Sequence, residues 1–213
     1  MKNNVLSGLS IIWLLSLSIL ITIYLTWLAY PLAIHYFDLT DIVPFSATRI
    51  SSNFKELMIF LTNPLKTQLL MPDFPTSQSG LKHFYDVKFL FHLVQAVGVI
   101  LALPSLLFLK EKISHHLFWH YKRHYFLAII LPVLIATFAF FIGFDYFFTL
   151  FHNILFPGDS SWLFNPATDP VILILPQDFF LTCFIVFFII YEIFMISFYL
   201  LAKHSYHKND LRQ

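Results

Sequence analysis

The sequence predicts an all-α polytopic membrane protein, with four transmembrane helices and a small extracytoplasmic cap formed by two loops. Three observations carry that expectation. The 213 residues are 58% hydrophobic and only 12% charged, with mean hydropathy +0.74, about half the charged fraction of a soluble domain. Four stretches, approximately Leu9–Ile34, Phe89–Leu109, Tyr125–Phe148 and Phe179–Ala202, are long enough to cross a hydrocarbon core, which takes about 20 helical residues. The two long connections, about 35–88 and 149–178, carry helix and turn signals of their own.

The first stretch is too long for the apolar region of a removable signal peptide, and no small-residue cleavage pattern follows it, so it reads as a retained span. Trp27 and Tyr30 at its outer end, and Trp13 nearer its inner end, suit interfacial aromatic belts. In the loop that follows, "NFKELMIFLTNPLKTQLL" sets Phe54, Leu57, Met58 and Leu61 on one helical face. Asn53 with Glu56 reads as a variant capping box, and Pro64 should end or kink that helix. His92 and Gln95 interrupt the second span and are expected to hydrogen-bond between helices. Asp145 interrupts the third. Glu192 interrupts the fourth and is expected to pair with a basic inner-loop residue. The second outer loop, "HNILFPGDSSWLFNPATDPVILILPQDFF", mixes the turn pairs Pro157-Gly158, Asn165-Pro166 and Asp169-Pro170 with a short β-like run, Val171–Leu175. The cap should therefore hold a short helix plus some β-like structure, and both pieces are too apolar to stand free.

Lys and Arg near the spans set the orientation. Lys2, the 110–124 loop "KEKISHHLFWHYKRH" and the tail "KHSYHKNDLRQ" together hold Lys2, Lys110, Lys112, Lys122, Arg123, Lys203, Lys208 and Arg212. The opposite side has Arg49, Lys55, Lys66, Lys82 and Lys88 over a much longer stretch. Both termini should be cytoplasmic, with 35–88 and 149–178 facing outward. A net charge of +1 argues against a nucleic-acid partner, and Cys183, the single cysteine, rules out a disulfide or a CxxC motif. There is no P-loop, no GxGxxG and no internal repeat, and the 27 Phe are read as lipid-facing filler. "GDSSW" lacks the G-x-S-x-G of a nucleophile elbow, so Ser160 and Ser161 are poor candidates for an acyl carrier.

The ten histidines divide by side. His115, His116, His120, His124, His204 and His207 fall on the cytoplasmic side. The i, i+4, i+8 spacing of His116, His120 and His124 could make a zinc face, but only Glu111 lies near as a further ligand, and a headgroup-facing amphipathic linker suits them better. His83 and His152 are different. His152 follows Arg123 by 29 residues, about 44 Å of continuous helix at 1.5 Å per residue, which carries it across a core of about 30 Å into the outer headgroups. His83 precedes Phe89, where the second span begins, by six residues. Each has a carboxylate at helical reach, Asp86 three residues after His83 and Asp145 seven before His152. A carboxylate on one ring nitrogen fixes the tautomer and raises the basicity of the other. The alternative is that these groups merely cap helices and bridge loops.

The segments "LMPDFPTSQSGLKHFYDVKFLF" and "FHNILFPGDSSWLFNPATDPVILILPQDFF" resemble the two signature regions of the bacterial lipoprotein intramolecular transacylase family. The similarity centres on His83 with Asp86-Val87-Lys88, and on His152 with Phe156, Trp162, Asp169 and Pro176. Gln177 departs from the acidic residue expected before the paired phenylalanines, a charge that Asp178 could supply. The resemblance implies transfer of the sn-2 acyl chain of a lipoprotein's S-diacylglyceryl group to the free α-amine of its N-terminal cysteine. It implies diacylglyceryl lipoproteins as substrates, a setting of membrane phospholipid, and neither cofactor nor metal.

That reaction suits the outer histidines. An α-amine of pKa about 7.7–8.0 needs modest help to attack an ester, and positioned acid–base catalysis supplies roughly 10²–10⁴-fold. His152 is the expected base, steadied by Asp145, and His83 the orienting or oxyanion group, steadied by Asp86, although the reverse assignment is also open. Asp169 is a further support, Trp162 a candidate donor, and Phe156 and Phe164 candidate seats for acyl chains. Two other readings stand beside it: a membrane lipid acyl hydrolase using the same histidines, and a non-enzymatic metal-handling protein using the cytoplasmic ones.

Overall fold

The computed structural model describes residues 2–210, with side chains described for 3–205. Lys2, His207, Lys208 and Arg212, named above, lie outside the described side chains. The chain runs α1 (Lys2–Tyr36), α2 (Leu39–Ile42), α3 (Ala47–Thr62), α4 (Gln78–Ser114), α5 (Lys122–Ile142), α6 (Phe144–Leu155) and α7 (Gln177–Asp210), with short 3₁₀ turns at Phe118–Tyr121 and Pro170–Ile174. No strand occurs among the described residues. Four helices are long and apolar enough to cross a membrane, those built on α1, α4, α5 and α7, so the protein is an all-α multi-pass membrane protein.

The chain forms two compact units. One comprises Met1–Thr22, Val94–Gly143 and Ile185–Gln213; the other comprises Ile23–Leu93 and Phe144–Phe184. In the first, small and hydroxyl side chains let helices approach closely. Ser16 Oγ donates to the Val94 carbonyl at 2.8 Å and Trp13 Nε1 to the Gly98 carbonyl at 3.1 Å. A Cβ on Gly98 would lie 2.9 Å from Ser16 Oγ, which is why that crossing takes a glycine. Ser10 and Tyr125 share a buried hydrogen bond of 2.8 Å. Glu192 does not pair with a basic inner-loop residue as expected: both its oxygens are buried without a hydrogen-bond partner among the described residues.

The histidines of the 110–124 loop do not form a continuous helical stripe. α4 ends at Ser114, His116 sits at φ 55, and a 3₁₀ turn precedes α5. His120 Nδ1 meets the Leu117 carbonyl at 3.0 Å and His124 Nδ1 meets Ser7 Oγ at 2.9 Å. The i, i+4, i+8 argument for a zinc face fails because its helix is absent there.

The second unit carries the two loops. α3 starts at Ala47 behind an Ser46 cap that accepts from the Arg49 N–H, six residues before the capping box read at Asn53. Asn53 is instead a buried bracket in mid-helix. Its amide nitrogen donates to the Arg49 carbonyl at 2.9 Å and to Asp73 Oδ2 at 2.8 Å, while its oxygen accepts from the Asp73 N–H. The apolar face of α3 is buried at Phe54, Leu57, Met58 and Leu61, and the helix stops at Thr62, ahead of Pro64. Lys88 Nζ donates to the carbonyls of Phe60 (2.7 Å), Asn63 (3.0 Å) and Lys66, satisfying acceptors that a helix end leaves unpaired.

Two expectations for this unit are corrected. The β-like run is a 3₁₀ turn: Pro170 follows Asp169 as the first residue, where its fixed φ suits a helical turn. Burial of Val171 and Ile174, three apart, replaces strand alternation. Tyr30 is not an interfacial belt residue. It is 1% exposed, stacks on Phe54, and donates its hydroxyl to the Ile174 carbonyl at 2.8 Å. The third apolar stretch also breaks, at Gly143, whose φ of 83 and ψ of 147 interrupt the helix. Glycine adopts that conformation at little cost, and α6 starts afresh from Phe144. The straight 44 Å helix reckoned from Arg123 to His152 therefore does not exist.

Candidate active site

His83 and His152, 69 residues apart in sequence, meet in the second unit with ring centroids 5.8 Å apart. α4 supplies the first and α6 the second. Both are buried, at 6% and 8% exposure. The aromatic residues that the sequence singled out enclose the pair. Phe156 stands edge-on to the His83 ring at 5.0 Å, Phe164 lies 5.6 Å from it, and Trp162 stacks on His152 at 4.5 Å with planes 24° apart. Phe148, one turn back on α6, lies 4.3 Å from His152.

The carboxylates are deployed differently from the expectation. His152 Nδ1 lies 2.8 Å from the Phe148 carbonyl on its own helix. A carbonyl can only accept, so Nδ1 carries the proton and Nε2 is left as the basic nitrogen. Asp145 instead accepts a hydrogen bond from Gln177 Nε2. The i, i+7 spacing did put Asp145 on the helix, but exposed, and the backbone carbonyl four residues back has the shorter reach. Gln177, the residue that departs from the family pattern, is thus the partner of Asp145. Asp86 is not hydrogen-bonded to His83 and acts on it only through its charge: its carboxylate takes Lys82 Nζ at 2.8 Å, and His83 Nδ1 is buried with no hydrogen-bond partner among the described residues.

Asp169 is a support of another kind. Only 3% exposed, it accepts the Ser77 N–H at 2.7 Å and the Thr168 hydroxyl at 2.7 Å. Ser77 Oγ in turn accepts the Gly80 N–H at 3.0 Å. Asp169 therefore fastens the start of α4, the turn from which His83 is presented. Gly80 is required there by space. A Cβ would overlap Asp169 Oδ1 and come within 2.8 Å of a Phe164 ring carbon.

Sequence reasoning missed one cluster. Lys82, next to His83, bridges Asp86 and Asp159, and Asp159 also accepts the Ser161 N–H at 2.8 Å, one residue before Trp162. The Lys82 ammonium, with help from the Ser161 N–H, holds the Asp159 carboxyl down at about 2. Lys82 and Asp159 are 77 residues apart, beyond any helical spacing rule. Burial lowers the His152 imidazole below its ordinary value, partly opposed by the Phe148 carbonyl, which keeps the ring neutral near pH 7. A buried neutral imidazole facing a second buried imidazole under an aromatic roof can take a proton from one group and return it to another while excluding water.

A family model described as lipoprotein intramolecular transacylase Lit matches residues 4–180. No curated protein sequence matches the chain. The in meso structure of the membrane integral lipoprotein intramolecular transacylase Lit from Bacillus cereus is similar at TM-score 0.86 and 24% identity, covering 98% of this chain and 96% of that one. Two structures of the same Bacillus cereus protein with one histidine substituted are similar at TM-score 0.79. The arginine variant is 25% identical over 99% and 93% of the two chains, and the alanine variant 24% identical over 98% and 94%. The chain belongs to the lipoprotein intramolecular transacylase family and is an acyltransferase of the membrane.

Proposed function

We propose that this enzyme moves the sn-2 acyl chain of a lipoprotein's S-diacylglyceryl group to the α-amine of its N-terminal cysteine, at the outer boundary of the membrane, with His152 as general base. The observation that carries the reading is the 5.8 Å meeting of two buried imidazoles from separate helices. The α-amine nitrogen attacks the ester carbonyl carbon and forms the new amide bond, while its proton passes to His152 Nε2. As the tetrahedral centre collapses, the bond between the acyl carbon and the oxygen on glycerol C2 breaks, and the protonated imidazole returns that proton to the leaving oxygen. Nothing else is consumed, so the atoms balance within one substrate molecule. Holding amine and ester together makes the step effectively unimolecular.

The unpartnered Nδ1 of His83 supports a role toward substrate, because a buried polar atom without a protein partner asks for one. Protonated, that nitrogen would donate to the oxyanion; unprotonated, it would accept from the incoming amine. Phe156, Phe164 and Trp162 exclude water that would otherwise hydrolyse the ester, which favours transfer over the hydrolase alternative. Lys110, Lys112, Lys122, Arg123 and Lys203 cluster at the ends of the spans remote in sequence from both histidines. That clustering supports cytoplasmic termini, loops 35–88 and 149–178 outside, and an external site.

Mass spectrometry of lipoprotein N-termini tests the proposal. In cells lacking other transacylase, wild type should convert diacylglyceryl to N-acyl monoacylglyceryl lipoprotein, and His83→Ala or His152→Ala at equal expression should not. Full-rate conversion by either variant, or release of free fatty acid by wild type, overturns the reading.

A further inference from the structure

Away from the histidine pair, the second unit carries a two-part hollow along α1 and α3. One part, about 430 Å³, is lined by Tyr24, Trp27, Leu28, Pro31, Ser51, Phe54 and Lys55. The other, about 450 Å³, adjoins it through Pro31, Ser51 and Lys55, and adds Ile34, His35, Ala47, Thr48 and Ser52. The lining changes character along its length. At the Tyr24 end it is aromatic and aliphatic; at the His35 end it offers three hydroxyls and an imidazole. Lys55 stands at the junction, and no acidic residue lines either part.

The charge accounting of the unit singles out Lys55. Arg49 pairs with Asp73, Lys66 with Glu56, and Lys82 with Asp86 and Asp159. Lys88 gives its protons to three carbonyls. Lys55 alone has no ion pair or hydrogen-bond acceptor among the described residues, and it is exposed. A cation and hydroxyls on α3, beside an aromatic slot along α1, a helix long and apolar enough to cross a membrane, complement a phosphate head with an acyl tail.

We propose that this groove is a binding site for one anionic glycerophospholipid. Its phosphate lies against Lys55, Ser51 and Thr48, and its upper acyl chain lies along Tyr24, Trp27 and Leu28. None of the residues enclosing His83 and His152 lines the groove, so the bound lipid is a resident of the fold and not the transacylation substrate. Its hold on both α1 and α3 stabilises the folded state by mass action.

The test uses the full-length protein in detergent, titrated with phosphatidylglycerol or phosphatidylcholine of the same acyl chains and read by native mass spectrometry. Wild type should retain phosphatidylglycerol about fivefold better, the size of one lysine–headgroup contact near a membrane surface. Lys55→Gln should erase the preference, and Leu28→Trp, which fills the apolar slot, should lower retention of both lipids. Lys110→Gln, a charge loss in the other unit, should keep the preference. The added phosphatidylglycerol should raise the melting temperature of wild type but not of Lys55→Gln. Equal retention of the two lipids by wild type, or an unchanged preference in Lys55→Gln, overturns the proposal. Neither result bears on the histidine chemistry, because transacylation by Lys55→Gln should match wild type in lipid-free detergent.

Discussion

Replacing Gly80 with alanine should disable the site without touching either imidazole. The added Cβ would overlap Asp169 Oδ1 and press on Phe164 from 2.8 Å. Asp169 is not free to yield, since the same oxygen takes the Ser77 N–H at 2.7 Å and the residue is 3% exposed. Losing a hydrogen bond to a charged group costs about 1.5–3 kcal/mol, and overpacking a filled site costs about 1–3 kcal/mol. Alanine returns about 1 kcal/mol of helix propensity. The net is a loss of about 1.5–5 kcal/mol, or a fall of about 3–20 °C in the melting temperature for a chain of this size. Phe164 must also move off His83, so lipoprotein conversion should fall at least tenfold at temperatures where the variant is still folded. A double-mutant cycle isolates the cause: in an Asp169→Ala background the extra cost of Gly80→Ala should shrink to about 0–2 kcal/mol, because only the Phe164 contact remains. A Gly80→Ala protein that melts with wild type and converts lipoprotein at full rate would refute the packing argument.

Further expectations concern the charges and the rings. Asp145→Ala should leave conversion within about threefold of wild type, because the Phe148 carbonyl sets the His152 tautomer; loss comparable to His152→Ala would restore the carboxylate to the mechanism. Because burial lowers the His152 pKa, the base stays neutral below its ordinary value of 6.5. Protonation of the attacking α-amine, whose ordinary pKa is about 7.7–8.0, slows conversion as pH falls through neutrality, and His152 should add a further, steeper decline only as pH passes its lowered folded value, below 6.5. Stability linked to this group runs the same way: below 6.5 the unfolded chain binds the proton first, so stability falls with falling pH. A second inflection at 6.5, beyond that of the amine, would contradict a buried base. Lys82→Ala or Asp159→Ala should leave stability close to wild type, as exposed pairs do, yet slow conversion several-fold by loosening the segment that lays Trp162 on His152. The Lys82→Asp/Asp159→Lys exchange should recover part of that rate at low salt. Trp162→Ala should reduce conversion more than Trp162→Phe, which keeps a stacking ring; equal loss in both would point to the indole N–H as a donor.

Much of this protein was legible in one dimension. Long apolar runs cannot be solvated, so four membrane-length helices follow from composition. The 3.6-residue period of Phe54, Leu57, Met58 and Leu61 marks the buried face of α3 because a helix in a folded chain must hide one side. The signature segments carried His83, His152, Phe156, Trp162, Phe164 and Asp169, and the fold brings these residues into one cluster. Where reasoning by spacing failed, it failed at choices between competing partners. Asp145 was in helical register with His152, but a backbone carbonyl one turn away was nearer. Asn53 had the composition of a cap and became a mid-helix bracket because Asp73 folds back onto it. Val171–Leu175 had strand-like residues but no neighbouring strand to pair with, and a proline at its head.

Local sequence thus determined which segments are helical, which faces are apolar and which imidazoles are worth watching, since those properties depend on neighbours within a turn or two. Only the tertiary structure decided that α4 and α6 bring two rings to 5.8 Å, that Lys82 finds Asp159 across 77 residues, and that the helix after α5 restarts at Gly143. Each of those depends on where separate helices pack, and packing is settled by the joint burial of the whole unit, not by any one stretch of it.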